Sequence, residues 1–389
     1  MTDTLRYDRF GPDDAGAHDV LLRQAFSATP ERNAAHRETF GPENVRVVRA
    51  GAELAAALTL IPMGQYYGGR SVACAGIAGL TVAPPFRGRG VSSFLLTEMF
   101  KEAKERGWWL ATLYASTVPV YRKMGFEVAG REILYAADTD KLVAGRNPAP
   151  ELRRAEPGDL PMMQRLKAGE ARIGAGMVDR PPALWQRKLE PFGRAVDAYF
   201  VCGPSGPEGY LAVAHEKHDR LEVTDWCAST GRAAQQILAT LAGHRSIYDR
   251  VAWSGGPADL LACHLPDKGW RIEDHDEWLT RIVDVEQALG RRGYPEGLTA
   301  ELSLAVEDPL LPWNRGTFTL RVAAGRGTVT RGDRASDLTL GIDALAPLYT
   351  GHFTPAFLGR AGRLDGPPTA LATAALIFSG PAPWMDDHF

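Results

Sequence analysis

The segment Leu80–Ser92, L-T-V-A-P-P-F-R-G-R-G-V-S, constrains this chain more than any other. It reads as a buried strand, a tight Gly/Arg turn and the start of a helix. Such a turn aims several backbone N–H groups at one point, and the helix N-terminus adds partial positive charge there. Arg87 and Arg89 add full charges. The chemistry served is pyrophosphate binding. No Gly-Lys-Ser/Thr follows, so this is not a Walker A loop, and it is not a G-x-G-x-x-G fingerprint either. Alone, R-G-R-G is more simply an ordinary solvated turn. The elements around it carry the identification.

Downstream, Val91, Phe94, Leu95, Met99 and Ala103 recur at helical spacing, and Gly107 ends the helix. Trp108–Ala115 reads as a buried strand. Ser116, a short helix through Tyr121-Arg122-Lys123-Met124, and Gly125-Phe126 follow. This order resembles the GCN5-related N-acetyltransferase (GNAT) superfamily. Its acetyl-CoA motif, Q/R-x-x-G-x-G/A, is matched by Arg87, Gly90 and Ser92, with serine replacing the usual final Gly or Ala.

At 389 residues the chain exceeds one ordinary core, since domains run about 100–200 residues. Three domains are expected, at 1–145, 146–288 and 289–389. In the first, Leu5–Phe10 is a strand, Pro12-Asp13-Asp14 opens a helix, Asn44–Arg49 and Glu53–Ile61 pair around Gly51, and Val72–Val82 feeds the phosphate turn. Asn147–Pro150 is a linker. In the second, Leu152–Ala155 and Pro157-Gly158-Asp159 repeat the opening pattern of strand, turn and helix. It resembles another GNAT fold, but it carries no R-x-x-G-x-G segment, so no acetyl-CoA is expected there. The third, with strands at Leu302–Val306, Gly316–Ala323 and Leu338–Gly341 before L-G-I-D-A-L-A-P-L-Y, resembles the sterol carrier protein fold. The expected class is α+β/α/β: tandem GNAT folds, then a sterol-carrier-like α+β domain.

This combination resembles the enhanced intracellular survival (Eis) acetyltransferase family along the whole chain. V-A-P-P-F-R-G-R-G, L-Y-A-S-T-V-P-V-Y-R-K-M-G-F and the E-W-L-T-R-I-V-D-V stretch at Glu277–Val285 carry the likeness, together with Phe389. The resemblance implies an aromatic C-terminal residue whose carboxylate reaches the active site, a typically hexameric assembly, and aminoglycosides or other polyamines as acceptors.

Amine acetylation needs the acetyl carbonyl held and polarised, the ammonium deprotonated, and the departing thiolate protonated. The splayed strand at Leu80, Thr81 and Val82 is expected to hold the pantetheine arm. Arg87, Gly88, Arg89, Gly90, Val91 and Ser92 would hold the pyrophosphate. Ser116 either contacts the cofactor or caps the Tyr121 helix, and both can hold together. The resemblance makes Tyr121 the general acid, and a phenol of pKa about 10 suits that role at neutral pH. The base falls to the Phe389 carboxylate, which desolvation would strengthen, with His388 as the alternative. Pro381 and Pro383 stiffen this tail, and Asp386 and Asp387 are expected to draw polycations by summed Coulomb attraction. Phe26 and His36 are candidate rim residues of the acceptor pocket.

Other features exclude rival classes. A net charge of −3 argues against a nucleic-acid scaffold. No apolar stretch of about 20 residues could span a bilayer, and no signal peptide opens the chain, so a cytoplasmic protein is expected. The four cysteines are scattered and read as reduced thiols. Apart from Cys74, none lies near the site segments, so direct transfer in a ternary complex is expected. His215-Glu216-Lys217-His218 has the wrong spacing for zinc, Asp274–Glu277 reads as a solvated turn, and Arg331-Gly332-Asp333 as a hairpin turn. No metal is expected. The alternatives are acetylation of protein lysines or polyamine metabolites, and a non-enzymatic acyl-CoA or lipid carrier.

Overall fold

The computed structural model of the protein describes residues 4–142, 151–191, 194–215, 220–266, 269–332 and 335–389. The expected linker at Asn147–Pro150, His218 with its two preceding residues, and Asp333 lie outside them. The chain packs as two compact units. The first joins residues up to Ala129 with Trp278–Ser379 and His388–Phe389, and the second joins Gly130–Glu277 with Gly380–Asp387.

The first unit opens with β1 (Leu5–Arg9), α1 (Ala15–Phe26), α2 (Pro30–Phe40), β2 (Val45–Ala50), β3 (Glu53–Tyr67), β4 (Arg70–Val82), α3 (Val91–Glu105), β5 (Leu110–Tyr114) and α4 (Val118–Arg122). Strands β1 to β4 form an antiparallel meander. β5 then joins β4 in parallel, with α3 as the crossover. Val91, Leu95, Leu96, Met99, Phe100 and Ala103 give α3 one buried face. α2 is polar nearly all round, which hides it from a search for apolar spacing. Thr29 caps it by accepting from Arg32 N–H at 3.3 Å, and Pro30 takes its first turn.

The second unit runs from β6 (Glu127–Asp138) through β7 (Leu152–Arg154), α5 (Leu160–Ile173), β8 (Val178–Asp179), α6 (Pro182–Leu189), β9 (Val196–Gly203), β10 (Gly206–His215), β11 (Arg220–Ala228), α7 (Gly231–Ala242) and β12 (Arg250–Gly255) to β13 (Trp270–Ile282). Two of the unit boundaries fall within β6 and β13, and the other two in the tail. β9–β10–β11 are antiparallel, and β11 and β12 are parallel around α7, repeating the crossover of the first unit. The sequence predicts a turn at Asp274–Glu277. The structure instead runs those residues inside β13. Their carboxylates stay solvated on the strand, and pairing with distant segments overrides the local turn preference.

The remainder of the first unit holds α8 (Val285–Arg291), β14 (Ala300–Glu307), β15 (Gly316–Ala323), β16 (Arg326–Arg331), β17 (Leu338–Gly341), α9 (Ile342–Thr350), α10 (Pro355–Arg360), β18 (Leu364–Asp365) and α11 (Pro368–Ile377). Its strands order as β16-β15-β14-β17-β18. It is fused to the opening segment by backbone. Trp278–Ile282 pairs antiparallel with β5, and Gly293 N–H donates to Tyr67 O at 2.9 Å. A Cβ on Gly68 would lie 2.2 Å from Gly293 O, so only glycine allows this approach. Leu279, Val283 and Leu311 share one core with α3 and β3–β5.

His18 lies inside the α1–α2 pair, 1% exposed. Arg37 donates to its Nδ1 at 3.0 Å, so the ring is neutral there. Burial, and then the Arg37 charge, push its pKa from the usual 6.5 to about 4. The unfolded chain therefore binds more protons between those values. Stability is full above about pH 6.5 and falls as pH drops towards 4, by about 3 kcal/mol at most. Urea titrations at pH 7 and pH 4.5 should show this loss, and His18→Gln should flatten the slope.

Candidate functional site

β4 and β5 pair at Cys74/Leu110, Ala75/Ala111 and Gly76/Thr112. Beyond Gly76 they part. On its other side β4 carries a bulge, because Ala57 pairs with Thr81 and Thr59 with Ala78. Gly79, at φ +60°, absorbs the extra residue. The fork thus frees the β5-facing backbone of Ile77–Val82, and α1 lies over it. Thr81 Oγ1 donates to Leu21 O, and Leu22 lies 3.5 Å from where a Gly79 Cβ would be.

The Gly/Arg turn continues from the fork. Pro84–Phe86 form one tight turn, and Gly88 and Gly90 follow at φ +74° and +79°. A Cβ on either glycine would meet open space, so they serve the backbone path and leave the concavity clear. Gly90 precedes α3, and no side chain caps that N-terminus. The amides of Val91, Ser92 and Ser93 therefore remain available to an anion. Arg87, Gly88, Arg89 and Gly90 are exposed, and Arg87 Nε donates to Val82 O at 3.1 Å, tying the turn to the strand.

Leu80, Val82, Ala115 and Tyr121 all border the core cluster that contains Val91 and Leu95. The structure thus assembles the cradle and Tyr121 on one core. Tyr121 lies edge-on to Phe126, at 5.7 Å between ring centres. Burial pushes its pKa up to about 12, so it stays protonated at any physiological pH. The turn after α4 is fixed from behind. Gly125, at φ +80°, abuts Arg281, and Arg122 pairs with Glu127, which also holds Arg363 at 2.8 Å. Ser116 is exposed just past β5. It is not the cap of α4: Thr117 holds that place, without a side-chain bond.

The tail reaches the same fork. A Cβ on Gly76 would come within 3.1 Å of the Phe389 ring. Phe389 also lies edge-on to Tyr114 at 6.4 Å, and His388 stacks on Tyr114 at 4.2 Å. Phe389 therefore sits where β4 and β5 diverge. Gly76 and Tyr114 are site residues the sequence does not single out. The one signal was a glycine inside an apolar strand, a mark of close approach.

The outer candidates fare differently. Phe26 ends α1, 45% exposed. His36, half-buried on α2, bonds Thr59 Oγ1 at 3.3 Å over β3 and packs on Phe40. Asp386 and Asp387 do not face an acceptor. They are 5% and 2% exposed, inside the second unit, and they meet Arg180 and Lys167. The expected attraction of polycations by these two carboxylates is corrected accordingly: they are buried and engaged in ion pairs within the protein. Cys74 is fully buried with its thiol pKa raised by desolvation, which argues against a covalent acyl carrier there. Among the described residues no His/Cys/Asp/Glu group could hold a metal, and no helix is long and apolar enough to cross a membrane.

Comparison with known proteins agrees with this layout. Residues 12–129 and 176–282 each match an acetyltransferase (GNAT) domain, and residues 285–386 match a sterol carrier protein domain. A GCN5-related N-acetyltransferase from Anabaena variabilis is 34% identical. Its crystal structure superposes with a TM-score of 0.95 over 99% of this chain and 100% of that one. An uncharacterized N-acetyltransferase of Streptomyces avermitilis is 28% identical over 83% of this chain and 82% of its own. N-acetyltransferase Eis of Mycobacterium tuberculosis is 26% identical over 75% of this chain and 74% of its own.

The Gly76–Phe389 contact makes a direct prediction. Gly76→Val would push the Phe389 ring out of the fork. Turnover should fall roughly a hundredfold, as small misplacements at a reacting centre do. Ile61 Cβ lies equally close, so Gly76→Ala is measured beside Gly76→Val, with circular dichroism and the melting temperature separating loss of fold from loss of turnover.

Proposed function

This chain belongs to the Eis-like GCN5-related N-acetyltransferases, and we propose that it moves the acetyl group of acetyl-CoA directly to amines of polycationic small molecules, aminoglycosides among them. The observation that carries this reading is the Phe389 ring lodged against Gly76 in the fork that opens beside the Gly88–Gly90 cradle.

The described residues suit a CoA thioester. The uncapped amides at the start of α3, with Arg87 and Arg89, would take the pyrophosphate. The open space over Gly88 and Gly90 gives it room. The freed edge of Leu80, Thr81 and Val82 would hold the pantetheine arm, and its N–H groups would stabilise charge developing on the acyl oxygen. Ser116 at the end of β5 is within the same reading. Acetyl-CoA, when bound, supplies an activated acyl group.

The chain's own groups then manage protons. The Phe389 carboxylate takes a proton from the acceptor ammonium, directly or through a water, and His388 is the alternative. The freed amine forms the C–N bond as the C–S bond breaks. Tyr121 delivers its phenolic proton to the departing thiolate, and the second proton shed by the nitrogen as it becomes an amide returns through water to the phenolate. A phenol held near 12 stays protonated until that moment. Phe26 on α1 and His36 on α2 would line the acceptor side. Because Asp386 and Asp387 are internally paired, the pull on cations rests on the terminal carboxylate. Homo-oligomerisation, six copies by resemblance, belongs to the same proposal.

Mass spectrometry of a mixed amine panel with acetyl-CoA tests the reading. Acetylated aminoglycosides or polyamines are expected, and a panel left unmodified would sink it. Tyr121→Phe, and separately removal of Phe389, should each cost roughly 10²–10⁴ in turnover. Arg87→Ala with Arg89→Ala should instead raise the KM for acetyl-CoA roughly tenfold with turnover nearly unchanged.

A further inference from the structure

The second unit repeats the fork of the first and fills it differently. β11 and β12 pair in parallel from Arg220/Arg250 to Val223/Trp253, then part. The connection to the following helix is only Ser229 and Thr230, where the first unit has Ala83–Gly90. Thr230 Oγ1 caps α7 by accepting from Ala233 N–H at 3.1 Å. Beside it Glu208 accepts from Thr230 and pairs with Arg232 at 2.9 Å. A capped helix with a carboxylate at its mouth has no place for a phosphate.

Two carbonyls beyond the parting already have side-chain partners. Lys167 Nζ donates to Trp226 O at 3.0 Å, and Trp226 Nε1 bridges to Ser254 O at 2.9 Å. The chain's own tail lies close by, tied by backbone to β6 and to the segment after α5. Trp384 N–H donates to Ala175 O at 2.9 Å, and Arg131 N–H donates to Pro383 O at 3.2 Å. A Cβ on Gly256, just past β12, would lie 2.6 Å from the Trp384 indole. Lys167 sits 5.7 Å from the centre of that ring and 2.9 Å from Asp386. Met385 is fully buried.

Arg180 is the hub. Its Nε meets both Asp387 oxygens at 2.8 and 2.9 Å, its Nη2 meets Asp386 at 2.8 Å, and its Nη1 meets Asp225 on β11 at 2.6 Å. Tyr210 donates to the same Asp225 carboxylate at 2.6 Å, and Lys188 donates to Asp386 O. A planar guanidinium fork suits this geometry; an ammonium, with one point charge, does not. Neither the sequence patterns nor the domain matches assign a role to Arg180.

We propose that the seat beside the parted β11 and β12, built from Arg180, Lys167, Lys188 and Gly256, is a receptor for the chain's own acidic tail, and that Arg180 is the positioning residue that fixes Asp386–Asp387 and so limits where Phe389, two residues on, can lie. Its catalytic consequence rests on the proposed role of Phe389. The docking itself does not.

Hydrogen–deuterium exchange of the full-length protein separates the two. In Arg180→Gln, exchange over residues 380–389 should rise roughly tenfold or more, with β1–β3 unchanged. Asp387→Asn leaves Arg180 its bonds to Asp225 and Asp386. It keeps the test alive if the arginine variant misfolds, and it should loosen the same segment to a lesser degree. Arg180→Lys should fall between wild type and Arg180→Gln. Turnover should follow tail exchange in rank, while the KM for acetyl-CoA stays within about threefold. Unchanged exchange over 380–389 in Asp387→Asn and in whichever Arg180 variant folds would overturn the receptor. Loosened exchange with full turnover would keep the receptor and overturn the role of Phe389 instead.

Discussion

Backbone groups that leave a ladder must find another partner, and in the first unit that demand arises where β4 and β5 separate after Gly76 and Thr112. The separation is enforced from both sides. The Gly79 bulge turns β4 away, and β5 is held by Trp278–Ile282 on its other edge. A strand so freed is a row of donors and acceptors facing a gap. The Gly88–Gly90 turn and the bare N-terminus of α3 extend that row into an anion site. Phe389 lies in this gap, and the roles proposed for it and for Tyr121 depend on the gap being there.

The same fold element appears twice with opposite fillings. The first unit parts its strands after Gly76 and leaves the start of α3 without a side-chain cap, which suits a ligand. The second closes the edge with Lys167 and Trp226 and caps the helix with Thr230. Four carboxylates, Glu170, Asp225, Asp386 and Asp387, gather around Lys167 and Arg180. Burial pushes the Asp386 pKa up, but Arg180 and Lys167 together outweigh it and hold that group well below the usual range. Removing one partner from such a buried set leaves a charge with nothing to balance it, which costs far more than the set contributes when whole.

Much of this was legible in the sequence. R-G-R-G after an apolar strand gave the cradle, because a Gly/Arg turn and helical spacing are local signals. Tyr121 came from its place in a recognisable segment, and the strands from Leu5 to Val82 from alternation and turns. Long-range partners were not legible. Asp386 and Asp387 look like free acid beside a chain end, and nothing near them in sequence announces Arg180. Asp274–Glu277 carries turn-like composition, yet pairing places it within β13. Gly76 is one of many glycines until Phe389 is seen against it.

The first unit is discontinuous along the chain: residues up to Ala129, then Trp278–Ser379, then His388–Phe389. On the ribosome, β5 therefore emerges long before Trp278–Ile282, the strand that covers its open edge. The nascent polypeptide must shelter that apolar edge while the whole second unit is being made. Long-range closure of this kind is slow, and exposed edges invite association in the interval. The segment translated first is thus among the last to be completed, which makes chaperone supply during synthesis a determinant of yield for this architecture.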